Sequence, residues 1–131
     1  MKKILFYIVF ITLSTSLFSS EGVLVDKKSG LTWQDNGIYA IELDWYEAGD
    51  YCQELHLGDY DDWYLPTIGE LRKFYKIKSH LKHRVSGYTW SATPRSKTSR
   101  RAWYVNLSDG VSKHYYKASS FHVRCVRKSD K

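Results

Sequence analysis

The chain has 131 residues and a formal charge of +6, to which Lys2 and Lys3 contribute two. A length of this order holds one domain beyond a short leader, and the lack of any linker, low-complexity tract or internal repeat excludes a multi-domain or repeat architecture. A basic surplus attracts nucleic acid or anionic lipid headgroups in general; in a chain that opens like an exported protein it reads as a solvated face, and no nucleic-acid partner is expected.

The first element in chain order is a targeting signal over residues 1–20. Lys2 and Lys3 form a positive n-region, Ile4 through Leu13 an apolar h-region, and Ser14 to Ser20 a small-residue segment, with cleavage placed between Ser16 and Ser20. Ten residues rise only about 15 Å as a helix against a hydrocarbon core of roughly 30 Å, so removal is expected and stable membrane insertion afterwards is not. The alternative is an uncleaved anchor, because Leu17 and Phe18 extend the run past the first serines. The expected location is the periplasm, the cell surface or the medium.

Residues 21–131 then read as one domain. Val23 to Val25 and Leu31 to Trp33 are β-prone runs around turn residues ending in Gly30, which predicts an opening hairpin. Asp44 caps a helix with Glu47 reaching back, and Trp45, Ala48, Cys52 and Leu55 recur on one face. Pro66 breaks the next segment, and Thr67 with Glu70 forms a second capping box ahead of Leu71, Phe74 and Tyr75. Strands are predicted from Tyr88 to Ser91, Ala102 to Leu107, Val111 to Tyr116 and Phe121 to Arg127, the second and third joined by an Asp109-Gly110 turn. Alternation in the last strand aims Phe121, Val123 and Cys125 at the core. Cys52 and Cys125 are the only cysteines, so a disulfide has one connectivity, and export permits it. Two buried free thiols are the alternative.

Six pieces in order carry a family resemblance. They are Asp26 with Ser29 to Asp35; Trp45-Tyr46-Glu47-Ala48 with Tyr51-Cys52; Trp63 to Thr67 with Glu70-Leu71; Thr89 to Thr93; Ala102 to Val105; and Val123 to Arg127. Together they resemble the DUF1566 family of Lcl C-terminal-like domains over essentially the whole chain beyond the leader. The resemblance implies an α+β, C-type-lectin-like fold: two helices flank a small twisted antiparallel sheet, and a disulfide joins the first helix to the last strand. That fold also houses the sulfatase-modifying-factor domains. Cys52 and Cys125 stand at those two positions. One departure is Tyr64, where the family has Arg in a Trp-Arg-Leu-Pro motif, and it puts a buried ion pair at that position in question.

Candidate sites are assessed singly, since fold does not confer function. None of the Glu-Pro-Asn, Gln-Pro-Asp or Trp-Asn-Asp motifs that cage calcium in lectins resembling this fold occurs. Asp59, Asp61 and Asp62 read as a solvated turn, and His80 with His83 lacks a third metal ligand. With both cysteines spent on a staple, the redox chemistry of formylglycine-generating relatives is not expected, nor is any enzyme activity, metal or cofactor. Trp33, Trp45, Trp63, Trp90 and Trp103 read as core, their indole N–H groups on backbone carbonyls. Tyr104, Tyr115 and Tyr116 with Arg95, Arg100 and Arg101 form the candidate ligand-binding patch, because Tyr beside Arg recurs at recognition hot spots; edge-strand aromatics beside a solvated loop are the alternative. Two functions follow. One is an exported non-catalytic binding module for a protein or cell-surface partner, and the other is a calcium-independent glycan-binding domain.

Overall fold

The computed structural model describes residues 22–37, 41–81 and 86–131. The leader expected over 1–20 and the basic stretch holding Lys82, His83 and Arg84 lie outside them. The opening hairpin pairs β1 (Val23–Asp26) with β2 (Leu31–Gln34). Its turn closes through Gly30, whose φ of 73° needs no Cβ and whose N–H reaches Asp26 O at 3.0 Å.

After the short β3 (Glu42–Leu43), the helices α1 (Trp45–Glu54) and α2 (Ile68–Ile77) begin where the sequence predicts. Asp44 accepts from the Glu47 N–H at 2.9 Å, and the Glu47 carboxylate accepts from the Asp44 N–H at 3.1 Å. Thr67 and Glu70 make the same exchange at 3.2 and 2.9 Å. Each box satisfies donors that a helix start leaves orphaned, a contribution of about 1 kcal/mol. A 3₁₀ turn at Lys78–His80 ends the helical region.

The rest is β4 (Tyr88–Pro94), β5 (Arg101–Asn106), β6 (Ser112–Tyr116), β7 (Phe121–His122) and β8 (Val126–Lys128). There are two sheets where the sequence suggests one: β1-β2-β8, and β3-β7-β4-β5-β6 with a parallel β4–β7 pair. The strand predicted from Phe121 to Arg127 is therefore two strands in different sheets. Its strict alternation fails because Val123, Arg124, Cys125, Val126 and Arg127 are all buried. Gln34 captures this crossover: its N–H donates to Cys125 O and its side-chain oxygen accepts from the Cys125 N–H, both at 3.0 Å, while Arg124 donates to Gln34 O at 2.7 Å. Buried backbone groups that leave one ladder need such substitutes.

Both faces of the larger sheet are covered. Ala48 and Cys52 of α1 pack with Trp63, Trp90, Tyr104 and Val123. Leu71 and Phe74 of α2 pack with Trp33, Val105, Leu107 and Val126. Strand β5 serves both layers through its alternation, Ala102 and Tyr104 one way and Val105 the other. Cys52 and Cys125 form the expected disulfide inside the first layer, their Cα atoms 5.5 Å apart and both side chains fully buried. Cys125 precedes the last strand and is not part of it.

The tryptophans follow expectation in part. Trp33, Trp63 and Trp90 are buried. The indoles of Trp45, Trp63 and Trp90 donate to the carbonyls of Ser91, Leu57 and Leu43. Trp45 and Trp103 are half-buried. At the departing position, the Tyr64 hydroxyl donates to Glu70 at 2.8 Å, so a neutral phenol meets the capping carboxylate. Burial, then the Glu70 bond and charge, push the phenol pKa well above its ordinary value.

Candidate binding site at the β4–β5–β6 end

Strands β4 and β5 are joined by a basic loop with Arg95, Lys97 and Arg100 exposed. The loop is held by backbone bonds from Arg95 N–H to Arg101 O at 2.9 Å and from Ser99 N–H to Ser96 O at 3.1 Å, and by the Ser99 hydroxyl, which accepts from the Arg101 N–H at 3.0 Å. Antiparallel register then sets Arg101 opposite Tyr116 on β6. Their side chains meet, the guanidinium 4.3 Å from the ring centroid, with an Arg101 nitrogen 3.4 Å from His114 Nδ1. Burial, then Arg95 and Arg101, hold the His114 pKa below its ordinary 6.5, which keeps the ring uncharged beside two guanidinium groups.

Tyr115 and Tyr116 are about half exposed, their centroids 5.6 Å apart at the free edge of the sheet. The structure thus brings together Arg101, Tyr115 and Tyr116, with Arg95 and Arg100 on the adjoining loop. It does not bring Tyr104 to the surface. Tyr104 pairs with Trp90 across the ladder, is 7% exposed and packs in the α1 layer, where burial raises its phenol pKa before its tyrosine neighbours add to the effect. The expectation that Tyr104 faces outward is corrected. Both faces of β5 are covered, so alternation alone does not separate surface from core.

Two residues that the candidate patch omits belong to this surface. Phe121 lies 4.9 Å from Tyr104, 5.4 Å from Tyr88 and 5.8 Å from Tyr115 by ring centroid. Exposed Tyr88, itself 4.9 Å from Tyr104, completes an aromatic platform around it. The signal for Tyr88 was its place at the head of a strand. Alternation aimed Phe121 at the core and gave no sign of its tyrosine neighbours, because β7 pairs with the non-sequential strands β3 and β4.

The acidic turn takes a structural role: Asp62 accepts two bonds from Arg127 at 2.6 and 3.1 Å. Among the described residues no three His, Cys, Asp or Glu side chains converge as metal ligands, and no helix is long and apolar enough to cross a membrane.

Two helices packed on antiparallel and mixed sheets and pinned by a helix-to-crossover disulfide give the chain a C-type-lectin-like fold. Among 23 solved chains that match is the crystal structure of botrocetin, a C-type-lectin-like protein, with a TM-score of 0.61 and 11% identity, covering 84% of this chain and 98% of that one. The chain belongs to the family of the Lcl C-terminal domain, whose model matches residues 22–127. No curated protein sequence is a match.

Proposed function

We propose that the protein is an exported, non-catalytic binding module that engages a protein or cell-surface partner through the β4–β5–β6 end of its scaffold. The observation that carries this reading is the exposed Tyr115–Tyr116 pair with Arg101 stacked on Tyr116, beside Arg95 and Arg100. Tyr presents a large rigid contact surface at low entropy cost, and a guanidinium already fixed on a ring loses less freedom on binding. The leader, cleaved between Ser16 and Ser20, delivers residues 21–131 to an oxidising compartment in which the Cys52–Cys125 bond persists.

A second reading is a calcium-independent glycan binder. It is favoured by the exposed rings of Tyr88 and Tyr115 on the platform around Phe121, which offer faces for sugar C–H groups. One experiment separates the two: the oxidised protein on a printed array of glycans and of extracellular-matrix and cell-surface proteins, with calcium and with EDTA. Saturable binding to protein spots that Arg100→Ala/Arg101→Ala weakens supports the first reading. Binding to glycan spots in both buffers that Tyr115→Ala weakens supports the second. Binding lost in EDTA, or none at all, overturns both.

A further inference from the structure

Strand β6 ends the larger sheet, with β5 on one side and no strand on the other among the described residues. Its ladder fixes which backbone groups are spare. The Asn106 N–H donates to Val111 O at 2.9 Å and the Lys117 N–H to Arg100 O at 2.8 Å, so the odd-numbered residues between them turn their backbone groups toward β5. The N–H and C=O groups of Ser112, His114 and Tyr116 therefore point away from the sheet. Of these, only Tyr116 O has a backbone partner among the described residues, the Ser119 N–H at 3.0 Å. An extended segment with outward donors and acceptors at every second residue is a template for one more strand.

Side-chain charge says what that strand carries. Ser112, His114 and Tyr116 share one face of the edge. Exposed Arg72 of α2 reaches that face at one end, its Nε donating to Ser112 Oγ at 3.0 Å, and Arg101 lies on the Tyr116 ring at the other. Exposed Lys113 stands on the opposite face. The ion pairs among the described residues involve none of these cations, and the acid of the β5–β6 turn, Asp109, accepts from the Val111 N–H at 2.9 Å. A second copy of the chain is the wrong occupant, because antiparallel pairing of two β6 strands about His114 sets Ser112 of each opposite Tyr116 of the other and brings Arg72 toward Arg101. We infer that β6 takes up an acidic, extended segment of a partner protein as a further antiparallel strand, with carboxylates opposite Ser112 and Tyr116, four positions or about 14 Å apart. The inference rests on the reading of this end as a binding surface and adds the conformation and charge of the partner.

The test is an amide NMR titration of the oxidised protein with acetyl-Glu-Val-Thr-Val-Glu-amide, whose threonine falls opposite His114 in that register. Saturable shifts of the Ser112, His114 and Tyr116 amides are expected, with slowed hydrogen exchange at His114. The peptide with Gln at both ends should bind at least about tenfold more weakly, as the loss of charge-assisted bonds requires. Methylating the threonine nitrogen removes the N–H aimed at His114 O, keeps every charge and should abolish binding. Methylating the first valine nitrogen, which faces away from β6, should leave it. Equal binding of the Glu and Gln peptides, undiminished binding after threonine methylation, or no saturable shift overturns the inference. Slowed exchange of the same amides in concentrated protein without peptide would give the edge to a second copy and overturn it too. The array separates this failure from that of the broader reading: if Arg100→Ala/Arg101→Ala still weakens capture by arrayed proteins, only strand addition falls.

Discussion

Removing the Cys52–Cys125 bond should lower the melting temperature by about 15–20 °C. The bond spans 73 residues, and closing a loop of that length in the denatured chain is worth about 4 kcal/mol in the chain-entropy model. A domain of roughly 110 residues unfolds with an entropy near 0.23 kcal/mol/K, which converts that loss into the stated shift. Cys52→Ala/Cys125→Ala adds the cost of two small voids, since both sulfur atoms are fully buried. Wild-type protein reduced in denaturant and refolded under reductant isolates the loop effect. Circular dichroism melts of the oxidised, reduced and doubly substituted forms give the comparison. A fall below about 5 °C on reduction would refute the reasoning, because the denatured chain would then already be as compact as the cross-link makes it.

Three further outcomes are expected. Tyr64→Phe loses the hydroxyl bond to Glu70 and should lower stability by about 1 kcal/mol in urea titrations at pH 7; because the folded-state pKa is raised, wild-type stability should also decline above pH 10.0, the ordinary phenol value, in a way the variant does not share at this site. Gly110→Ala should destabilise by more than about 1 kcal/mol, since Gly110 has φ 80° and an added Cβ would sit 2.6 Å from the Tyr75 ring, a clash and a strained backbone at once; an unchanged urea midpoint would contradict this. The hydrogen bond from Arg127 holds the Asp62 carboxyl below its ordinary 3.8, so its stabilisation is present above that pH and disappears as pH falls through the lowered value. Asp62→Asn should therefore be less stable than wild type at pH 7, by a margin that narrows as pH is lowered below 3.8, as chemical denaturation across that range would show.

The parts of the fold written in local chemistry were legible. Asp44–Glu47 and Thr67–Glu70 specify both helix starts, and the opening hairpin follows from the turn before Leu31. The disulfide was legible for a different reason, since two cysteines allow one pairing. What stayed hidden depends on contacts remote in sequence. The break at Val123 to Cys125 arises from Gln34, some 90 residues away, taking over the backbone groups of Cys125. The parallel β4–β7 pairing needs strands that no turn connects. At the candidate site, Arg101 and Tyr116 were legible as types, whereas the burial of Tyr104 and the centrality of Phe121 are set by which strands flank β5 and β4. The placement of the Lys117 ammonium 4.3 Å from the Trp45 ring centroid leaves no trace in a linear pattern.

The three-stranded sheet has a mechanical consequence. Strands β1 and β8 lie on either side of β2 and are both antiparallel to it, so they run in the same direction, with Val23 opposite Gln34 and Lys128 opposite Leu31. Tension applied at these two ends pulls β1 and β8 in opposite senses along β2. Ladder bonds lie perpendicular to the strands, so the pull loads them in shear, all together, rather than unzipping them one at a time. Behind that clamp the 73-residue span between Cys52 and Cys125 is withheld from extension by the covalent bond. A domain tethered in this way can bear a load through its small sheet while the tyrosine platform, on the other sheet, keeps its shape.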